Sequence, residues 1–275
     1  MRKESNQIET SRSTKKTLVE KYKGFVFDLD GTIYRGEKLI PGADKTINKI
    51  RALDKKVIFV SNKTTDSPGD YLRFLVSNGV EIYPGELITA STVIINYLSN
   101  NYPAAKFYAI GEDKFIEELQ SNGFVYTQSY NEVEVVIVTL DRTLNYQKLE
   151  IAARSLENGA KFFAANIDDT CPVDSGEILD AGSTISALEK RTHRKLELHF
   201  GKPSEFMIKE VLNRIQLSKE DILITGDRIE TDIAMGSAFG IDTALVNTGI
   251  KNFPNGSIKP AYILNSINNL FDVST

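Results

Sequence analysis

The amino-acid sequence predicts an α/β fold, a doubly wound and mostly parallel sheet into which a second α/β module is inserted. Two observations predict this fold. Apolar segments rich in β-branched residues alternate with segments of helical periodicity along the chain, which is the pattern of parallel sheets. Several of the predicted strands also end abruptly in small polar or acidic residues, at the edge where open α/β sheets bind their ligands.

The composition is that of an ordinary globular protein. The chain has 275 residues, of which 41% are hydrophobic and 25% charged, and its formal net charge is −4. This balance gives no electrostatic reason to expect a nucleic-acid or anionic-membrane partner. No apolar stretch approaches the ~20 residues needed to span a bilayer. Cys171 is the single cysteine, which excludes an intrachain disulfide and favours a cytoplasmic protein.

The first predicted strand carries the strongest signal for a functional site. Its apolar run ends in Asp28 and Asp30, which are followed by Gly31 and Thr32. Residues two apart on an extended chain share one face, so both carboxylates can project into the same site. Clustered carboxylates repel each other, and a hard cation such as Mg²⁺ relieves that repulsion. Taken alone, the Asp-x-Asp tripeptide is more typical of an N-cap aspartate and an Asp-Gly turn after an ordinary strand than of a metal site.

A second strand, Lys56–Val60, ends in Ser61 and Asn62. A hydroxyl and backbone N–H groups at this position can bind phosphate oxygens without adding charge. We expect a helix within Pro68–Asn78 to follow, and its N-terminus would add a favourable dipole. Taken singly, a Ser-Asn pair is more typical of a turn.

Two further segments place charged residues at similar positions. Lys202 precedes Pro203, which is expected to open a helix that runs to about residue 215, so Lys202 lies on the loop before that helix. The segment 221–226 predicts a strand that delivers Asp227, and a helix beginning near Glu230 would deliver Asp232 in its first turn. Asp227 therefore repeats the geometry of Asp28.

The spacing of these segments predicts the domain organisation. Thirty residues separate Asp30 from Ser61, enough for one helix and one strand, whereas 140 residues separate Ser61 from Lys202. The excess predicts a discontinuous core, residues 17–86 and 200–275, with an inserted segment at 87–199. The polar, mildly basic composition of residues 1–16 predicts a flexible N-terminal tail or a short helix leading to Tyr22. The predicted elements of the inserted segment are the strands Lys106–Ile110, Val133–Thr139 and Ala160–Ala164 and the helices Ala90–Asn100, Lys114–Ser121, Tyr146–Glu157 and Ala181–Lys190.

The four segments, taken in order, resemble the motifs of the haloacid dehalogenase-like (HAD) hydrolase superfamily. Those motifs are Asp-x-Asp-Gly-Thr, a Ser or Thr after the second strand, a lysine, and Gly-Asp-x-x-x-x-Asp. The chain is also similar to subclass IIA, the branch of 4-nitrophenylphosphatases and of sugar and nucleotide phosphatases. The segments that carry this similarity are Asp30–Gly36, Ile40–Ala43, Val60–Lys63 and His199–Ser204, and the segment Val173–Ile178 with Asp180–Gly182 is similar to bacterial sugar phosphatases.

The resemblance implies a HAD-like Rossmannoid core with a type IIA cap, and an enzyme that hydrolyses phosphomonoesters through an aspartyl-phosphate. Asp28 would be the nucleophile and Asp30 the general acid and base. Mg²⁺ would be held by Asp28, by the backbone carbonyl of Asp30 and by Asp227, while Asp232 would orient Lys202 or a metal-bound water. The residues implied in phosphate binding are Gly31, Ser61, Asn62 and Lys202.

The substrate is not fixed by these motifs. Sugar phosphates are favoured by the resemblance, while phosphoglycolate, nucleoside monophosphates and pyridoxal phosphate remain open. In the cap, Asn166 and Asp168 are candidate specificity residues, but Ile167 stands where the branch commonly has proline, and a polar loop is an equal interpretation. The expected partner is a small phosphorylated metabolite, and the resemblance implies a homodimer through the cap. A phosphoacceptor or sensing module with little turnover is the alternative function.

Overall fold

The computed structural model describes residues 16–173, 176–249 and 258–272. Residues 1–15 of the predicted tail lie outside these ranges. Asp174 and Ser175, part of the segment similar to bacterial sugar phosphatases, also lie outside them.

Six parallel strands form the first sheet, and its central strand is the one that ends in Asp28. All five residues of that strand are buried, because the sheet is covered on both faces. Its two neighbours are the strands that end in Ser61 and Gly226. In spatial order the strands are Tyr262–Leu264, Asp242–Val246, Ile222–Gly226, Gly24–Asp28, Lys56–Ser61 and Leu87–Thr89.

Five parallel strands form the second sheet, which lies within the predicted inserted segment. In spatial order they are Leu198–His199, Lys161–Ala164, Val135–Val138, Lys106–Ile110 and Val125–Tyr126. A two-stranded hairpin, Thr170–Val173 with Gly176–Leu179, follows the strand Lys161–Ala164 in the chain. A second small hairpin, Tyr34–Arg35 with Lys38–Leu39, follows the central strand of the first sheet.

Helices connect the strands of both sheets, as parallel pairing requires. The α-helices in the described residues are Leu18–Lys21, Ala43–Arg51, Pro68–Ser77, Ala90–Asn101, Asp113–Ser121, Tyr146–Glu157, Ala181–Thr192, Glu205–Ile215 and Ala234–Phe239. Shorter 3₁₀ segments occur at Pro84–Glu86, Lys219–Asp221 and Ile267–Phe271, and a π-helical turn spans Ile229–Ile233. No helix in the described ranges is both long and apolar enough to cross a bilayer.

One local expectation from the sequence is wrong. Pro203 does not open the helix: Ser204 is the N-cap, its hydroxyl accepts a hydrogen bond from the N–H of Met207, and the helix begins at Glu205. The short strand Leu87–Thr89 lies in the first sheet, because it pairs with the strand ending at Ser61. The six-stranded sheet therefore extends to Thr89.

Candidate active site

The carboxyl ends of three adjacent strands of the first sheet meet at one cavity. Asp28 ends the central strand, Ser61 ends one neighbour, and Asp227 follows the other. Lys202 and Asp232 reach the same place from the loop before one helix and from the π-helical turn. The cavity is lined by these residues together with Asp30, Asn62, Lys63, Leu140, Asn166, Asp168, Thr170, Cys171, Asp180, Arg228 and Thr231.

Lys202 lies between two buried carboxylates. Its Nζ donates hydrogen bonds to Oδ1 of Asp28 and, at 2.7 Å, to Oδ1 of Asp232. Burial alone lowers the pKa of a lysine, but the Asp232 and Asp28 carboxylates outweigh that effect and raise the pKa of Lys202 above its usual value. Burial raises the pKa of both Asp28 and Asp232 to about 6, against the opposing effect of Lys202. Lys202 is thus held as a cation at the base of the cavity.

The acidic groups of the cavity fit a metal ion. Asp28, Asp227 and Asp232 are buried and each offers a carboxylate oxygen within 4.8 Å of the others. Oδ2 of Asp28 is fully buried and accepts no hydrogen bond from the described residues, which a cation would remedy. Asp232 is already engaged, because Oδ1 accepts from Lys202 and Oδ2 accepts from the N–H of Arg228 at 3.2 Å.

Glycine is required where the backbone passes close to these carboxylates. Gly31 has φ +88°, and a Cβ on it would lie 2.5 Å from Oδ2 of Asp227. A side chain there would be strained and would also displace the carboxylate. A Cβ on Gly226 would collide with the Asp232 side chain. The glycines of both aspartate motifs therefore allow the carboxylates to converge.

Asn62 holds the lysine loop through its side chain. Its Oδ1 accepts a hydrogen bond from the N–H of Lys202 at 2.6 Å, and its Nδ2 donates to the Lys202 carbonyl at 3.1 Å. The Asn62 amide is therefore occupied by protein partners, and its predicted phosphate contact would fall to its backbone N–H. Oγ of Ser61, directly before it, lies in the cavity wall and accepts from the N–H of Lys63 at 3.2 Å.

Asp30 lies at the rim of the cavity rather than in its base. Its side chain is 28% exposed, and Nζ of Lys63 lies 4.0 Å from its Oδ2. Burial raises the pKa of Asp30 above its ordinary value, with Lys63 opposing the shift. Its side chain does not belong to the group of carboxylates that converge, which consists of Asp28, Asp227 and Asp232.

The loops that follow the second sheet form the opposite wall of the cavity. Asn166 and Asp168, both singled out from the sequence, lie there. Asp168 accepts hydrogen bonds from Nδ2 of Asn62 at 2.9 Å and from Nη1 of Arg228 at 3.0 Å. Arg228 and Asp180 are not among the site residues predicted from the sequence, although Asp180 belongs to a segment similar to bacterial sugar phosphatases. An arginine after Asp227 and an aspartate before a helix have ordinary local explanations.

Comparison with protein families finds two matches along the chain. A family described as haloacid dehalogenase-like hydrolase matches residues 25–125, and a HAD-hydrolase-like family matches residues 199–270. The chain is 34% identical to the sugar-phosphatase AraL of Bacillus subtilis, over 89% of this chain and 90% of that protein. It is 32% identical to phosphoglycolate phosphatase 1A, chloroplastic, of Arabidopsis thaliana, over 91% of this chain and 76% of that protein.

Solved structures with this architecture include two phosphatases. A p-nitrophenyl phosphatase from Archaeoglobus fulgidus superposes with a TM-score of 0.85 at 33% identity, over 91% of this chain and 98% of that one. A 4-nitrophenylphosphatase from Thermotoga maritima has a TM-score of 0.85 at 26% identity, over 92% and 98% of the two chains.

Proposed function

The chain belongs to the haloacid dehalogenase-like hydrolases, and on that premise we propose that it is a Mg²⁺-dependent phosphatase of small phosphomonoesters. The substrates would be sugar phosphates or similar metabolites, with 4-nitrophenyl phosphate accepted as a reporter. Relatives named for sugar phosphates, for phosphoglycolate and for 4-nitrophenyl phosphate support the reaction class.

One observation carries this proposal: a buried aspartate at a strand end is hydrogen-bonded to a buried lysine and surrounded by further carboxylates. Asp28 is 7% exposed and Lys202 is 3% exposed. A structural ion pair would need no second and third carboxylate beside it, because each added charge in a buried site is costly. Here Asp227 and Asp232 converge on the same pair, as a site that binds both a cation and a phosphate requires.

In the first step the Asp28 carboxylate would attack phosphorus, and the bond between phosphorus and the ester oxygen would break. Asp30 would give its proton to the departing oxygen. Burial shifts the pKa of Asp30 upward, which is the direction that a general acid requires. Lys202 would reduce the repulsion between Asp28 and the incoming phosphate dianion.

In the second step water would attack the phosphorus of the aspartyl-phosphate, and Asp30 would take the proton from that water. Inorganic phosphate would leave and Asp28 would be restored. Asp28, Asp227 and the backbone carbonyl of Asp30 would hold Mg²⁺, which when bound would offset the negative charge of the carboxylates and phosphoryl oxygens. Gly31, Ser61, Asn62 and Lys202 would bind the phosphate, and Asp232 would fix Lys202.

The segment that carries the second sheet would act as a cap over this site. We place it at about residues 90–199, inserted between core segments that begin at residue 17 and resume at residue 200. Closure of such a cap excludes water and adds contacts to the leaving group. Asn166, Asp168 and Asp180 support that role, because they line the same cavity as Asp28 and Lys202.

The test is phosphate release from a panel of phosphomonoesters, with Mg²⁺ and with EDTA. Wild-type protein should release phosphate only with the metal, and Asp28→Asn should lower the rate by at least about 10⁴-fold while the unfolding temperature shows that the fold persists. Asp113→Asn, an exposed aspartate in the first turn of a helix, is the matched control and should keep wild-type rates.

Near-normal turnover in Asp28→Asn would refute the nucleophile. A wild-type protein that becomes phosphorylated but releases phosphate from no ester would instead favour the phosphoacceptor alternative.

A further inference from the structure

Three amide or carboxylate side chains of the cap line the cavity, those of Asn166, Asp168 and Asp180. In two of them, Asn166 and Asp168, both polar atoms already have partners within the protein. Asn166 donates through Nδ2 to Asp168 at 3.1 Å and to Asp180 at 3.0 Å, and its Oδ1 accepts from Thr139 at 3.1 Å. A primary amide has two N–H donors, so Asn166 has none left for a substrate.

Asp168 is likewise occupied, although the sequence singled it out as a specificity residue. Its Oδ1 accepts from Nη1 of Arg228, and its Oδ2 accepts from Nδ2 of both Asn62 and Asn166. Asp168 thus joins the cap to the core. Both oxygens of its carboxylate accept hydrogen bonds from protein groups, so Asp168 is a poor candidate for substrate recognition.

Asp180 differs from these two residues. Both hydrogen bonds that the described residues give it fall on Oδ1, from Nδ2 of Asn166 at 3.0 Å and from the N–H of Ala181 at 2.6 Å. A carboxylate has about four acceptor positions, so Oδ2 keeps acceptor capacity. The residue is 8% exposed and lines the same cavity as Asp28 and Lys202. Burial raises the pKa of Asp180 to about 6, which leaves it an anionic acceptor at neutral pH.

The other charges around the cavity argue against an acidic leaving group. No lysine, arginine or histidine is among the cap residues that line it in the described part of the chain. The core cations are each close to carboxylates: Arg228 is paired with Asp168, and Nζ of Lys63 lies 4.0 Å from Asp30 and 3.9 Å from Asp66. A second anionic group on the substrate would meet Asp180 and Asp168, and each cation in the cavity lining already lies within 4.0 Å of a carboxylate.

We propose that Asp180 is a specificity-determining residue that accepts a hydrogen bond from a hydroxyl of the leaving group, so that the enzyme selects uncharged polyhydroxylated monophosphates over phosphorylated acids. The inference rests on the proposed function. It extends that function from phosphomonoesters in general to a leaving group that is rich in hydroxyl donors and carries no second negative charge.

Asp180 also has a structural role, and the test must keep it. It is the N-cap of the helix Ala181–Thr192. Asparagine and serine cap helices about as well as aspartate, so Asp180→Asn and Asp180→Ser preserve the helix and remove the anionic acceptor. Asn145→Ser is the matched control. Asn145 is the N-cap of Tyr146–Glu157, another twelve-residue helix of the proposed cap domain, but it is exposed to solvent and does not line the cavity.

The experiment measures kcat/KM for ribose 5-phosphate, glucose 6-phosphate, 2-phosphoglycolate and 4-nitrophenyl phosphate in the holoenzyme with Mg²⁺. Wild-type protein should prefer at least one of the sugar phosphates to 2-phosphoglycolate. In both Asp180 variants the ratio of kcat/KM for the sugar phosphate to that for 4-nitrophenyl phosphate should fall by about 10-fold or more, mainly through KM. The ratio for 2-phosphoglycolate should rise, and Asn145→Ser should change neither ratio.

Three results would overturn the inference. In the first, both Asp180 variants unfold at the wild-type temperature, and their kcat/KM ratios for the sugar phosphate and for 2-phosphoglycolate, each relative to 4-nitrophenyl phosphate, stay within about twofold of the wild type. The second is a wild-type preference for 2-phosphoglycolate. In both cases turnover of 4-nitrophenyl phosphate shows that the proposed phosphatase function still stands. A wild-type protein that hydrolyses none of the four esters removes the proposed function, and this inference with it.

Discussion

Nη1 of Arg228 lies 3.0 Å from Oδ1 of Asp168, and this ion pair joins the loop after Asp227 to a loop of the second sheet. The side chains are only 16% and 8% exposed. Arg228 follows a residue of the proposed metal site, while Asp168 belongs to the proposed cap. The ion pair between them therefore connects the proposed cap directly to the part of the cavity where the carboxylates converge.

The first prediction concerns this ion pair. Asp168→Ala removes the carboxylate that pairs with Arg228 and accepts a hydrogen bond from Asn62, so the contact between the cap and the core should be weakened by about 1–3 kcal/mol. We expect kcat/KM to fall by about 10-fold or more for every ester alike, because closure serves all substrates. Steady-state kinetics on the four-ester panel measures this, with the exposed neighbour variant Asp169→Ala as control. A decrease in kcat/KM that is confined to sugar phosphates would show instead that Asp168 contacts the substrate.

A second prediction concerns the buried lysine. Lys202→Met keeps much of the side-chain volume but leaves the Asp28 and Asp232 carboxylates without their shared cation. We expect turnover of 4-nitrophenyl phosphate to fall by about 10²-fold or more, since charge stabilisation of this kind is a large part of phosphoryl transfer. Thermal unfolding should show a less stable protein at neutral pH, because the carboxylates would repel. Lys195→Met, whose side chain is 84% exposed, should match wild type in both measurements. Wild-type kinetics in Lys202→Met would exclude Lys202 from the reaction.

The third prediction is that Mg²⁺ stabilises the folded protein. A ligand that binds only the folded state at 100 times its Kd adds about 2.7 kcal/mol to the free energy of unfolding. The unfolding temperature of the wild type should therefore rise with Mg²⁺ and return to its starting value with EDTA. Asp227→Asn should lose most of that rise, whereas the exposed variant Asp113→Asn should keep it. An equal rise in Asp227→Asn would contradict the assignment of Asp227 to the metal site.

The sequence predicts the strand ends of this site well, because each is a local signal. Buried strands that end in Asp28, Ser61 and Asp227 can be read from an apolar run and the polar residue after it. Their meeting at one cavity follows from the common direction of parallel strands. The order of the strands across the sheet depends on packing between distant segments, and the motifs carry no information about it.

Other features depend on tertiary contacts that no local pattern encodes. The strand Leu87–Thr89 has three residues and is defined by its pairing with the strand ending at Ser61. At Pro203 two local signals compete, since proline favours the first helical position and serine favours the N-cap, and Ser204 wins. Asp180 resembles an ordinary N-cap in the sequence, and only the folded chain places it beside Asn166 and in the cavity.

The last prediction uses the burial of Asp180 itself. Its pKa is raised by burial from 3.8 to about 6, with the nearby Asp168 carboxylate adding to the rise and Asn166, the N–H of Ala181 and Arg228 opposing it. A carboxyl whose pKa is higher in the folded state contributes stability below its unfolded pKa, and that stability is lost as the pH rises through the folded pKa. The full loss is about 3 kcal/mol, and roughly half of it falls between about pH 5 and pH 7.5. The side chain introduced by Asp180→Asn does not titrate and still caps the helix. As the pH rises through this window, the free energy of unfolding of Asp180→Asn should therefore increase relative to that of the wild type.

Urea unfolding of both proteins at several pH values measures this difference. For Asn145→Asp, a variant of an exposed helix N-cap, the difference from the wild type should not change with pH in this window. Parallel stability curves for wild type and Asp180→Asn would mean that Asp180 is solvated in the folded protein, and a solvated carboxylate would be a weak basis for selecting hydroxyl groups.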